Sequence, residues 1–238
     1  MTITVNQIHM SFGHRKVLDN VSLSAEKGEV LGLIGPSGAG KTTLIRLITG
    51  ALKAQSGTID FNGISVPDKK LLGQMGFMPQ SDALYTDLSG LDNLKFFGRL
   101  YGLKEKALNQ RCDELLKFIG LTQDKHKLVS NYSGGMKKRL SLIIALIHDP
   151  DYLILDEPTV GIDPALRRTI WEEFDALAKA GKTLIITTHV MDEAVKCTKC
   201  ALIHDGELIA FDTVIALLER TQNNNLEDLF FRTEGRLG

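Results

Sequence analysis

The stretch LGLIGPSGAGKTTLIRL, Leu31–Leu47, decides the reading of this chain. Apolar residues give way to glycine, proline and serine, then to a lysine and two threonines, and the apolar pattern resumes at Leu44. Gly35 to Thr42 has the spacing GxxxxGK[ST], which between a strand and a helix is a phosphate-cradling loop. The small residues Gly35, Pro36, Ser37, Gly38, Ala39 and Gly40 let a tight turn aim its N–H groups inward. The helix that follows presents its positive end to the same point. In such a loop Lys41 neutralises terminal phosphates and the Thr42 hydroxyl is placed to hold Mg2+.

Working outward, 238 residues hold one large domain or two lobes, a size that buries roughly 70 to 75% of the unfolded surface. The 28 basic and 29 acidic residues nearly cancel, so no bulk charge steers the chain to nucleic acid. The longest apolar runs, such as LSLIIALI at Leu140–Ile147, are far short of the ~18 residues that cross a bilayer. The opening MTITVNQIHM lacks the basic start and apolar centre of a leader, so a cytoplasmic location is expected. Cys197 and Cys200 form a CxxC with His204 just beyond. With three ligands at most and no second CxxC, on a helix running into a buried strand, they read as structural cysteines.

The strand-like run ITVNQIHMSF alternates at Ile3 and Val5, slips phase at Asn6 and Gln7, and resumes at Ile8, Met10 and Phe12, as a bulged strand does. With LDNVSLSAEKG it suggests an antiparallel layer. EVLGLIG, MGFMPQ, YLILDEP, TLIITTH and CALIHDG are short apolar runs separated by helical stretches, the pattern of a parallel sheet buried on both faces. Asp205-Gly206 predicts a hairpin that closes the sheet side. From Ser89 to His148 the period is helical: Ser89 and Asp92 suit a capping box, and Met136, Leu140, Ile143, Ile144 and Ile147 form a stripe. The expectation is an α/β core over 1–88 and 150–220, a helical subdomain over 89–149, and a short tail over 221–238, with a turn or linker at Asn223–Asn225.

Asp156 and Glu157 end the apolar strand DYLILDEP, and the carboxyl ends of parallel strands open on the ligand crevice. There Asp156 is placed to hold Mg2+ through water and Glu157 to act as general base on an attacking water. Gln80 follows GFMP, where its amide suits Mg2+ or that water, and His189 ends TLIITTH, where its imidazole suits donation to the γ-phosphate or positioning of the water. Ser133, Gly134 and Gly135 open the striped helix in NYSGGMKKRLSL, a second small-residue helix start suited to an anion. Two phosphate-binding ends with one phosphate loop are reconciled if two copies meet head to tail, each completing the other's site.

Taken in order along the whole chain, these features resemble the ATP-binding-cassette family, specifically the nucleotide-binding subunits of membrane transporters. The order comprises the aromatic Phe12, the phosphate loop, the Gln80 loop, the Ser133–Gly135 signature, LILDE, the GID turn ending at Asp163, and His189. The resemblance implies a RecA-like core with an antiparallel β subdomain and an inserted helical subdomain. It implies two ATP sandwiched between paired subunits, with nucleotide contacts at Phe12, Gly35 through Thr43, Ser133–Gly135 and Asp163. Two departures stand out: the family signature usually reads Leu-Ser-Gly-Gly-Gln, whereas Tyr132 and Met136 flank the serine and glycines here, and Phe12 stands for a tyrosine. The Tyr-Ser-Gly-Gly-Met signature and the tail NNNLEDLFF look like the subfamily that serves drug, sodium, haem or polysaccharide exporters.

The expected function is ATP hydrolysis that powers a separate membrane permease from the cytoplasmic face, with the transported substrate chosen by the permease. Apolar Ala83, Leu84 and Tyr85 in the loop before Ser89 are expected to line the groove that receives a permease helix. A soluble cassette ATPase acting on ribosomes, DNA or iron-sulfur assembly is the alternative, although no paired cassette, coiled-coil insertion or basic surface is present. A GTPase or kinase lacks support, since no NKxD motif occurs and the Ser-Gly-Gly helix would be unexplained.

Overall fold

The computed structural model describes residues 2–81, 83–221 and 225–230. The expected linker at Asn223 and Asn224, and the tail from 231 onward, lie outside the described residues. Strands β1 (Ile3–Phe12) and β2 (Arg15–Ala25) are followed by β3 (Val30–Ile34) and helix α1 (Lys41–Ile48). Next come β4 (Ser56–Phe61), β5 (Ile64–Ser65), α2 (Lys69–Leu72) and β6 (Met75–Met78). Helices α3 (Gly90–Leu100), α4 (Glu105–Phe118) and α5 (Gly134–Leu146) fill the middle of the chain. The rest is β7 (Tyr152–Asp156), α6 (Pro164–Lys179), β8 (Thr183–Thr188), α7 (Met191–Ala194), β9 (Lys199–His204), β10 (Glu207–Thr213) and α8 (Val214–Glu219).

One sheet has the order β2-β1-β4-β5 and is antiparallel throughout. The other has the order β10-β9-β3-β8-β7-β6, parallel from β9 to β6 with β10 antiparallel at the edge. Alternate residues of the central strands serve two different cores, as period-two geometry requires. Leu184, Ile186, Leu153 and Leu155 face the helices, while Leu31, Leu33, Ile185 and Ile154 face α1 and the antiparallel sheet. The sheets are joined by Phe61 and Tyr152, whose rings meet edge-on at 4.8 Å, with the Asn62 amide donating to the Tyr152 hydroxyl at 2.8 Å.

The phase slip in β1 is a bulge: its pairing with β2 shifts register between Val5 and Ile8, and Gln7 has φ 48°. Ile3, Val5, Ile8 and Met10 are buried on either side of it. The Asp205-Gly206 hairpin has both residues at positive φ, 46° and 81°, as a two-residue primed turn demands. Helix α5 differs from expectation. Leu140, Ser141, Leu142, Ile143, Ala145 and Leu146 are all buried, because the helix lies between α3, α4 and the sheet rather than on a surface. Its apolar stripe therefore marks only part of its buried face. Ser89 caps α3 by accepting from the Asp92 N–H, but Asp92 takes the Ser89 hydroxyl at 2.5 Å instead of its backbone N–H.

Candidate functional site

The phosphate loop leaves β3 at Gly35, where a Cβ would stand 2.1 Å from the Ile203 carbonyl oxygen. Gly40 precedes α1 with φ 106°, and a Cβ there would stand 2.7 Å from the Val17 carbonyl oxygen. The β9–β10 turn braces the loop from behind: the Gly206 N–H donates to the Ala39 carbonyl at 3.2 Å, and the Asp19 N–H to the Gly206 carbonyl at 2.8 Å. No side chain caps α1. Its first-turn N–H groups are therefore left for an anion.

Lys41 is buried over this loop and donates to the carbonyls of Gly35 at 2.7 Å and Pro36 at 2.9 Å. Burial lowers its pKa, while the charges of Glu157 and Asp156 act to raise it. The ammonium is thus held by neutral carbonyls that phosphate oxygens can replace. The loop frames a concavity of about 170 Å³ lined by Val17, Ser37, Gly38, Gly40, Lys41, Thr42, Thr43, Gln80 and Glu157.

Asp156 ends β7 at 2% exposure, paired across the parallel register with Thr187 of β8. The Thr187 hydroxyl donates to Asp156 Oδ1 at 2.5 Å and accepts the Glu157 N–H at 2.9 Å. A second concavity of about 310 Å³ is lined by Thr42, Gln80 and Asp156 among others. Hydroxyl, amide and carboxylate oxygens form a hard donor set that suits Mg2+, which takes one or two carboxylates beside phosphate and water. No group of three or more His, Cys, Asp and Glu is placed to hold a metal among the described residues, so a cation here relies on such mixed oxygen donors.

Glu157 stands at φ 52°, a conformation that non-glycine residues adopt at a cost and that clusters at functional sites. Its Oε2 accepts from Gln80 Nε2 at 3.1 Å, and its Oε1 lies 3.0 Å from His189 Nδ1. Burial acts to raise its pKa, but the hydrogen bonds from His189 and Gln80 and the nearby charges of His189 and Lys41 outweigh it and hold the carboxyl below the usual range. A carboxylate kept ionised at the mouth of a phosphate loop is chemically equipped to take a proton from water. Gln80, Glu157 and His189, distant in sequence, are one cluster in space.

The sequence profile of the ABC transporter family matches residues 18–160. This chain belongs to that family. The Nod factor export ATP-binding protein I of Cupriavidus metallidurans is 40% identical over 211 residues, covering 87% of this chain and 70% of that protein. The linearmycin resistance ATP-binding protein LnrL of Bacillus subtilis is 38% identical over 230 residues, covering 95% and 74%. A solved ATP-binding subunit of an ABC transporter superposes with a TM-score of 0.90 at 26% identity, over 98% of this chain and 99% of that one. A dimeric ATP-binding cassette in a post-hydrolysis state, bound to ADP and Pi, shares the fold with a TM-score of 0.81 at 24% identity, over 89% and 98%.

Other ABC motif residues lie away from the phosphate loop of their own chain. Ser133 caps α5, its Oγ accepting the Met136 N–H at 3.3 Å, and Ser133 and Gly134 face solvent. None of Ser133–Gly135 lines the phosphate concavity. Asp163 caps α6, accepting the Leu166 N–H at 3.0 Å, and likewise does not reach that concavity. Phe12 is 50% exposed at the end of β1, which excludes a core role and leaves its ring face free to stack.

Tyr132, the departure from the family signature, is buried and donates to the Asp124 carbonyl at 2.8 Å. Its hydroxyl sits so close to Gly90 that a Cβ there would approach to 2.3 Å. The substitution therefore serves the helical core and leaves Ser133 in place. Thr187 was not anticipated: a hydroxyl two residues before His189 gains meaning only once the pairing of β7 with β8 is known. Cys197 and Cys200 are buried free thiols, and the mutual hydrogen bond together with burial pushes the Cys197 thiol well up.

The loop ahead of α3 divides. Leu84 packs against the helical core, whereas Tyr85 is 48% exposed and meets Phe96 at 4.8 Å and Phe97 at 6.0 Å. An apolar groove of about 610 Å³ is lined by residues including Leu72, Met75, Phe77, Leu100 and Tyr101. Leu84 and Tyr85 are not among its lining residues, so the groove is walled by α2, β6 and the end of α3. No helix among the described residues is long and apolar enough to cross a membrane.

Proposed function

We propose that this chain binds and hydrolyses ATP as one member of a head-to-tail pair and drives transport, in the export direction, through a separate membrane permease at the cytoplasmic face. The observation that carries the reading is the cluster of Glu157 with Gln80 and His189 beside Lys41, set against a helix start at Ser133–Gly135 that is exposed at Ser133 and Gly134 and lies outside its own chain's phosphate concavity. The relatives named for Nod factor export and linearmycin resistance support the export direction.

In this reading the first-turn N–H groups of α1 and the Lys41 ammonium hold the β- and γ-phosphates, and Phe12 stacks on the base. Thr42, Gln80 and Asp156 hold Mg2+, which when bound neutralises charge between those phosphates. Glu157 takes the proton of the attacking water, and His189 orients both that carboxylate and the terminal phosphate. Ser133–Gly135 of the partner copy close the site over the γ-phosphate, with Asp163 at the seam. The α/β part, 1–88 with 150–220, supplies the phosphate loop, and 89–149 supplies the signature and, with α2 and β6, the permease groove. Leu100 and Tyr101 on the wall of that groove, and the exposed Tyr85 and Phe96 outside it, are the apolar anchors this reading offers a permease helix.

Phosphate release from MgATP tests the reading. The wild-type chain should hydrolyse ATP, and Glu157→Gln should retain ATP while losing roughly a hundred- to ten-thousand-fold in rate, the range expected for a lost general base. An unchanged rate in Glu157→Gln contradicts the assignment.

A further inference from the structure

Glu193 lies in α7, only 3% exposed, and the chemistry above makes no use of it. Its Oε1 accepts from the Thr159 hydroxyl at 2.6 Å and its Oε2 from the Thr188 hydroxyl at 2.7 Å. Thr188 immediately precedes His189, and its hydroxyl also accepts the Val190 N–H at 3.0 Å. The Thr188 hydroxyl thereby links the Val190 N–H, on the far side of the imidazole, to the Glu193 carboxylate. Thr159 lies between Glu157 and Asp163, in the turn whose Ile162 N–H returns to the Thr159 carbonyl at 3.2 Å. The Arg167 guanidinium, 3.9 Å from Glu193 Oε1, places a positive charge beside the buried carboxylate, and it also donates to the Ile162 carbonyl at 3.1 Å.

A buried carboxylate is expensive unless its oxygens are fully engaged. Here both oxygens are engaged by hydroxyls from two separate segments that bear the hydrolytic residues. We propose that Glu193 is a positioning residue for ATP hydrolysis, clamping the His189 segment to the 157–163 turn through Thr188 and Thr159 so that the imidazole meets Glu157. Glu193 does not line the phosphate concavity. The proposal rests on the hydrolytic reading of Glu157 and His189. A neutral amide in its place has one acceptor and one donor group where two acceptors are needed, so Glu193→Gln loosens the clamp at nearly constant volume.

The test is a cycle on the full chain, measuring steady-state phosphate release at saturating MgATP together with ATP affinity. Glu193→Gln should lower kcat by roughly 10- to 100-fold, by analogy with the loss of an outer-shell partner that orients a metal ligand, with ATP affinity unchanged. Thr188→Val keeps the carboxylate and removes its link, and should act in the same direction. In a His189→Ala background either substitution should add almost nothing, since the group being positioned is gone. Equal losses in both backgrounds, a loss of ATP affinity in place of kcat, or an unchanged kcat in Glu193→Gln and Thr188→Val overturns the proposal. A wild-type rate in His189→Ala would overturn the underlying reading of His189 as well, and is seen separately from those outcomes.

Discussion

Two helix starts in this molecule carry the same kind of residues and are finished differently. Helix α1 begins behind Gly40 with no capping side chain, and its surroundings are complete within the chain: Lys41 over the loop, Glu157 at the mouth, Asp156 fixed by Thr187. Helix α5 begins behind Ser133, which caps it and faces solvent, and no residue of Ser133–Gly135 lines the chain's own phosphate concavity. The first gathers its phosphate-loop residues into one concavity, and the second starts a helix outside it. In the proposed pairing, that difference would make a phosphate-binding fold half of a composite one.

Removing the completed half should have the largest consequence. Lys41→Ala deletes the buried cation that offsets phosphate charge, and the expected result is loss of tight MgATP binding by calorimetry. Unchanged affinity would remove α1 from the comparison altogether.

A smaller effect comes from Gln80→Ala. Glu157 is held below the usual carboxylate range, so its base form persists as pH falls until the lowered pKa is reached, and activity that needs it is lost below that point. Taking away the Gln80 hydrogen bond raises that pKa, so the acid limb of kcat should move to higher pH than in the wild type. A limb that stays put, or moves lower, would show that Glu157 is not the group whose protonation limits the reaction.

Smallest is Tyr85→Ala, away from both helix starts. Its ring contacts with Phe96 and Phe97 are worth about 0.5 to 1.5 kcal/mol, a melting shift of roughly 1 to 6 °C at this chain length. Basal hydrolysis should hold while permease capture weakens. A large drop in melting temperature with intact capture would make Tyr85 part of the helical core, as Leu84 already is.

The phosphate loop, the strand ends bearing Gln80, Asp156, Glu157 and His189, and the bulge at Asn6-Gln7 were legible because each is written in consecutive residues. A phase slip or a GxxxxGK[ST] spacing is a local signal. What was not legible depends on register and approach. Thr187 matters because β7 and β8 pair so that it lies beside Asp156, and Tyr132 matters because it fills space beside Gly90. The expected docking pair Leu84-Tyr85 was separated by the path of its loop, one residue turning inward and one outward, which composition alone cannot order. The breadth of burial around α5 followed from two layers meeting on one helix, whereas a single stripe is all that period 3.6 reports.

In the proposed pair, each helix start completes the site of the other chain. Light scattering of Glu157→Gln with saturating MgATP tests it most directly, since ATP that is bound but not hydrolysed should trap the closed pair. The expected result is a particle of two chains that forms only with MgATP, and a single chain that still binds ATP when Ser133→Arg is added, because the new side chain obstructs the partner's phosphates. A Glu157→Gln chain that binds MgATP yet stays single, or a pair indifferent to Ser133→Arg, would contradict the composite site.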